Sequence, residues 1–186
     1  MSHEHPFAQY VRILGKGPNL SRPLTREETR LAAGMVLDGT VEPVQLGAFL
    51  CLMRVKTETA AEVAGFVQAA RDRVERPAGM VPPDLDWSSY AGKSRQLPWF
   101  LLAALLLARN GIRVLMHGTE GHTAGRVYAR EGLASLGIAP AQSCAEAARQ
   151  LDQSNFAYLP LAVASPKLHE IIGLKDLLGL RSPVHT

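Results

Sequence analysis

Ser88-Ser89-Tyr90-Ala91-Gly92-Lys93-Ser94-Arg95-Gln96-Leu97-Pro98 separates a short extended run, Leu85 to Trp87, from the most apolar segment of the chain, Trp99 to Leu107. A turn between a strand and a helix is where open α/β sheets hold anionic ligands. The helix N-terminus there offers unpaired N–H groups and the positive end of its dipole. A fitted diphosphate pocket uses several glycines, which let the backbone approach the phosphates. This turn has one, Gly92, and two long cations, Lys93 and Arg95. It reads as a site for diffuse negative charge. The plain alternative is two solvated cations on an exposed loop.

Downstream of this turn, strand and helix alternate. Residues 85–90 read as a strand and 97–110 as a buried helix, with Trp99 in its core. Ile112 to Met116 is a second strand, entered through Gly111, and a helix runs from about Ala124 to Leu136. Ser143 caps a helix to Leu151, Phe156 to Leu159 is a third strand, and Ser165-Pro166 opens a helix to Leu178. This alternation predicts a parallel sheet with helices packed on it. The sheet is thin, and parallel sheets need both faces covered, so a fragment or a required partner is expected.

Upstream the pattern is helical. Phe7, Tyr10, Val11 and Leu14 recur at i, i+3, i+4, i+7. Thr25-x-x-Glu28 and Thr59-x-x-Glu62 are capping boxes. Their helices are expected to bury Leu31, Met35 and Val36 in the first, and Val63, Phe66, Val67 and Ala70 in the second. Pro43 opens the intervening helix, which turns Leu46, Phe49, Leu50 and Met53 inward. The division is therefore a helical unit over 1–75, a linker over 76–87 rich in proline, and a partial α/β unit over 88–186.

Composition is permissive. With 186 residues, 47% hydrophobic and 20% charged, the chain is an ordinary globular protein, large enough for one medium domain or two small units. A net charge of +3 and a pI of about 9.1 allow a polyanion partner without requiring one. Cys51 and Cys144 are far apart in helical contexts and read as reduced thiols. The polar start does not resemble a signal peptide, and Trp99 to Ala108 is too short to span a bilayer. A cytoplasmic protein without a membrane partner is expected. His117-x-x-Glu120-x-His122 lies on a glycine-broken loop and reads as a polar turn, so no metal is assigned.

The helical part, through Leu24-Thr25-Arg26-Glu27-Glu28, Leu37-Asp38-Gly39 and Phe49 to Thr59, resembles the N-terminal domain of the anthranilate phosphoribosyltransferase family, glycosyltransferase family 3. Val114 to Gly118, Leu133 to Ile138, Phe156 to Pro160 and Leu177 to Arg181 resemble the start of that family's α/β domain. The resemblance implies a nucleoside phosphorylase/phosphoribosyltransferase-like α/β fold and a homodimer through the helical unit. It also implies that the chain lacks the C-terminal half of the α/β domain.

The departure lies in the opening stretch. Where those enzymes have a Gly-Thr-Gly-Gly-Asp loop for the diphosphate, this chain has Ser89 to Arg95. That form, with Gly179-Leu180-Arg181-Ser182-Pro183-Val184-His185-Thr186, is similar to the non-enzymatic, YbiB-type paralogues of the family, which bind nucleic acid with little sequence preference. Residues 88–130 carry Lys93, Arg95, Arg109, Arg113, Arg126 and Arg130 against Glu120 alone, the kind of cluster that phosphate contacts need.

The expectation is therefore sequence-tolerant DNA binding through a basic cleft, without catalysis or cofactor. The candidate contacts are Lys93, Arg95, Arg126, Arg54, Lys56 and His117, with Tyr90 and Trp99 as stacking candidates. The alternative is a phosphoribosyltransferase acting on an aromatic amine such as anthranilate, with phosphoribosyl diphosphate and magnesium.

Overall fold

In the computed structural model, which describes residues 4–89, 96–121 and 125–185, the capping boxes at Thr25 and Thr59 open two helices. Each threonine accepts the N3 amide while the N3 glutamate accepts the threonine amide, a reciprocal cap worth about 1 kcal/mol. The helical part consists of α1 (Ala8–Gly15), α2 (Arg26–Leu37), α3 (Pro43–Lys56) and α4 (Ala60–Arg71). Gly39, at φ +70°, sits just past α2 in a conformation that other residues adopt at a cost. Phe7, Tyr10, Leu14, Phe49, Leu50 and Met53 form the core of this unit. The Phe7 ring meets Phe49 edge-on at 5.2 Å.

The buried face of α4 differs from the one its apolar spacing predicts. Val63 and Val67 are 38% and 44% exposed, while Glu62, Gly65 and Ala69 are buried. The reason is the close approach of α2. A Cβ on Gly65 would lie 2.5 Å from the Arg26 carbonyl oxygen and 2.7 Å from the Thr29 Cβ. Small residues set this contact and turn the valines outward. On α2, Leu31 is likewise 47% exposed, and Ala32, Ala33 and Val36 take the interior.

The second unit is built on three parallel strands in the order β1 (Leu85–Ser88), β2 (Val114–Gly118), β3 (Phe156–Pro160). Leu85 stands opposite Val114, and Val114 opposite Phe156. Strand alternation gives the sheet two apolar faces. On one, Val114, Met116 and Tyr158 pack with α5 (Phe100–Arg109) and α6 (Ala129–Ser135). On the other, Ala157 and Leu159 pack with α7 (Cys144–Ser154), and Leu115 and α8 (Leu161–Ala164) join them. The predicted parallel α/β sheet is thus present, with helices on both faces.

Several boundaries moved. The helix after β2 starts at Ala129, because Gly125, at φ +71°, and extended Tyr128 hold residues 125–128 out of helical geometry; the expected start at Ala124 lies outside the described residues. The helix expected over 165–178 is broken at Leu174, whose amide bonds the Ile171 carbonyl in a tightened turn, giving α9 (Pro166–Gly173) and α10 (Lys175–Leu178).

The structure divides the chain into Glu75–Pro166 and a helical unit formed by the residues through Val74 together with those from Lys167. The sequence grouped the last segment with the sheet. Its apolar side chains Ile171, Leu174, Leu178 and Val184 instead join the helical core. His185 is buried there, its ring bonded to Ser182 and to the Ile172 carbonyl. Burial pushes the His185 pKa down, against those hydrogen bonds.

Candidate ligand site at the carboxyl end of the sheet

A cleft of about 220 Å³ opens beyond the carboxyl ends of the strands. Its lining includes Ser89 just after β1, Gln96 to Phe100 at the start of α5, and Arg126 and Val127 between β2 and α6. Open parallel sheets bind ligands at this edge, because the strand-to-helix loops converge there.

Local packing builds each wall. Ser89 donates its amide and its hydroxyl to the His117 carbonyl, at 2.7 and 3.0 Å. Gly118 faces that hydroxyl, and a Cβ there would collide with it. The Pro98 turn rests on Gly132 of α6, where a Cβ would fall 2.9 Å from the proline ring and 2.7 Å from Leu101. The indole of Trp99, at the first turn of α5, is left 64% exposed. The core position expected for Trp99 is corrected: Leu101, Ala104 and Ala108 fill the interior instead.

Arg126 is held over the buried Tyr128 ring, its guanidinium carbon 5.0 Å from the ring centroid. Tyr128 is fixed in turn by its amide, which donates to Glu131. Behind the cleft, the Tyr158 hydroxyl donates to Glu120, which also meets Arg130 at 3.5 Å. Burial, then the Glu120 charge, pushes the Tyr158 phenol well above its ordinary range. Sequence reading missed this pair because its members lie 38 residues apart.

Of the six residues expected to contact nucleic acid, Lys93 and Arg95 lie outside the described residues, as does the stacking candidate Tyr90. Arg126 lines the cleft. His117 places its Nε2 2.8 Å from Asp86 across the β1–β2 pair. Arg54 and Lys56 belong to the other unit. Arg54 is 4.0 Å from Glu58, and Lys56 donates to buried Glu62 at 2.7 Å. Lys56 is thus a structural partner, because its ammonium completes the coordination of a buried carboxylate. Arg113, counted in the cationic cluster over 88–130, instead braces Asp152 and the Val81 carbonyl.

His122 of the histidine–glutamate loop lies outside the described residues. Among the described residues, no group of three or more His, Cys, Asp or Glu side chains is placed to hold a metal ion. No described helix is long and apolar enough to cross a membrane.

Residues 8–74 match the glycosyl transferase family, helical bundle domain. Over 183 residues the chain is 28% identical to the uncharacterized protein YbiB of Escherichia coli (strain K12), a match covering 97% of this chain and 57% of that protein. It is 31% identical over 159 residues to an anthranilate phosphoribosyltransferase of Methylobacterium radiotolerans, covering 86% of this chain and 46% of the enzyme. The chain thus spans about half the length of the curated relatives it matches. The crystal structure of anthranilate phosphoribosyltransferase from Thermus thermophilus superposes with a TM-score of 0.79 at 20% identity, covering 98% of this chain and 53% of that one. Residues 8–74 therefore carry the helical bundle domain of the glycosyl transferase family, and the chain as a whole is similar to YbiB and has the fold of the anthranilate phosphoribosyltransferases.

Proposed function

We propose that the chain binds a phosphate-bearing ligand at the carboxyl edge of β1 and β2, using the site class of the phosphoribosyltransferase fold. The observation that carries this reading is the cleft lined by Arg126 in a chain whose fold matches a phosphoribosyltransferase. The relatives favour one ligand in particular, phosphoribosyl diphosphate, with an aromatic amine such as anthranilate as acceptor. The described residues supply no donor cluster for the magnesium that such a diphosphate would bring. This chain's own part is to pair the phosphates with Arg126 and, from the loop sequence, with Lys93 and Arg95.

A second reading is sequence-tolerant nucleic-acid binding without transfer. One observation favours it: the loop between β1 and α5 has one glycine and two long cations where a fitted diphosphate cradle needs several glycines. Calorimetry with phosphoribosyl diphosphate and magnesium, beside anisotropy with a labelled single strand at two salt concentrations, separates the two. Micromolar phosphoribosyl diphosphate binding with no strand binding supports the transferase reading. Strand binding that falls steeply with salt, and flattens when Lys93 and Arg95 are both reversed to Glu, supports the second. No binding in either assay removes both.

The helical unit is the proposed dimer contact. Val44 and Val55 stand exposed on α3, and an isologous pairing would cover apolar surface of this kind. Light scattering behind size exclusion tests it, with Val44→Asp and Val55→Asp together expected to yield monomer.

A further inference from the structure

The last segment of the chain is held to the helical core by a histidine whose bonds suit one protonation state. The residues from Lys167 belong to the helical unit although the whole sheet unit precedes them, so the chain leaves that unit and returns to it. α9 and α10, with the residue between them, bring Ile171, Leu174 and Leu178 back to the core. The short helical turn Pro183–His185 then closes the segment against α3. Leu178 packs beside Gly47 of the same helix, 3.9 Å from where a Cβ would stand.

His185 is 8% exposed, and both its ring nitrogens are engaged. The Ser182 amide donates to Nδ1 at 3.2 Å, which makes that nitrogen an acceptor. The proton of the neutral ring is therefore on Nε2, which donates to the Ile172 carbonyl at 3.2 Å. One ring thus joins the final turn to α9. A proton added at Nδ1 faces the Ser182 N–H, donor against donor. The Ser182 hydroxyl and carbonyl, at 3.0 and 3.3 Å, can accept it, but the amide then loses its partner.

The new charge also meets poor company. Arg181 and Lys175 act on the ring, and both are cations. α3 has no carboxylate, and its Arg54 and Lys56 lie against Glu58 and Glu62. On α9, Lys167 holds Glu170 at 2.9 Å, and His169 is a second titratable group. Asp176 on α10 is exposed, and Thr186 lies outside the described residues.

We infer that His185 is a pH-sensitive latch: neutral, it fastens residues 167–185 to the helical core, and protonated, it lets that segment come away. The sign follows from burial. Charging is disfavoured while the segment is docked and free once it is released, where an ordinary histidine titrates near about pH 6.5. Docking is therefore at full strength above about pH 6.5. It weakens as pH falls, by up to about tenfold per unit, until the docked pKa is reached.

Two measurements on the full chain test the latch. Nitrogen NMR of the imidazoles reads the tautomer and titration of His185 directly. Hydrogen exchange, corrected for the intrinsic pH dependence of amide exchange, reads release of residues 167–185 between about pH 7.5 and about pH 5.5. The His185 ring should carry its proton on Nε2 and titrate below about 6.5. Over that interval the amides of α9 and α10 should lose up to about tenfold in protection, while those of α2 and α4 keep theirs. His185→Gln keeps an amide donor and acceptor without a charge to gain, so its segment should show no such loss. His169→Gln should behave as the parent chain.

A His185 ring that titrates at or above about 6.5, or that carries its proton on Nδ1, overturns the latch. Parallel loss of protection across the whole helical unit overturns it too, since that is global acid unfolding. So does a pH dependence that disappears with His169. If His185→Gln is undocked at both pH values, the imidazole titration and the exchange of the parent chain decide by the same criteria.

Discussion

The Lys56 ammonium lies 2.7 Å from the carboxylate of Glu62, a side chain with no exposed surface. Glu62 also accepts the Leu24 amide at 2.9 Å and the Thr59 amide and hydroxyl at 2.8 Å. One buried carboxylate thus ties the segment before α2 to the α3–α4 turn. Removing one partner of a buried, hydrogen-bonded pair typically costs about 3–5 kcal/mol. Glu62→Ala should lower the unfolding free energy by that order, read from urea denaturation. Lys56→Ala should cost less, about 1.5–3 kcal/mol, because three donors remain on the carboxylate. Unchanged stability in Glu62→Ala would contradict this account.

The same region makes the fold acid-sensitive. Hydrogen bonds from Arg22 and then from Thr25 hold Glu28 down to about 2. Burial raises the Glu62 pKa, but bonds from Lys56, Thr59 and Leu24 outweigh it, and the net shift is downward. A carboxylate with a depressed folded pKa adds stability above its unfolded value, about 4.3, and that contribution disappears as pH falls through the folded value. The urea midpoint should therefore decline between about pH 5 and about pH 2. Glu28→Gln should make that decline shallower, and an unaltered slope would remove Glu28 from the explanation.

Gly65 has no room for a methyl group. The obstacles to a Cβ are the Arg26 carbonyl oxygen and the Arg30 amide nitrogen, both backbone, so relief requires α2 and α4 to separate. Gly65→Ala should destabilise by about 1–3 kcal/mol despite alanine's better helix propensity. A thermal melt decides it, since a rise in Tm would mean that helix propensity outweighs the contact.

Thr57 adopts φ 65° and ψ 144°, a region that a β-branched residue enters at a cost of about 1–3 kcal/mol. Glycine enters it freely and gives back about 0.4–1 kcal/mol through its more flexible unfolded chain. Thr57→Gly should therefore raise stability by about 1 kcal/mol, measured by urea denaturation. A loss would show that the Thr57 hydroxyl, which donates to the Lys56 carbonyl at 2.5 Å, holds the turn.

The capping boxes at Thr25 and Thr59, the proline opening α3 and the strand–helix alternation beyond Leu85 were all legible in the sequence. Each is a local signal, fixed by backbone dihedrals and by bonds that span a few residues. Those signals were enough for the helical unit, the parallel order of the strands and the family resemblance. Tertiary structure alone decided which face of α4 is buried, because that depends on the distance at which α2 can approach Gly65. It assigned Lys56 to Glu62, placed the residues from Lys167 with the helical core, and left Trp99 exposed beside Arg126. Each of these outcomes joins residues distant in the chain. Hydrophobic spacing records which side chains prefer burial, but not which neighbour arrives to bury them.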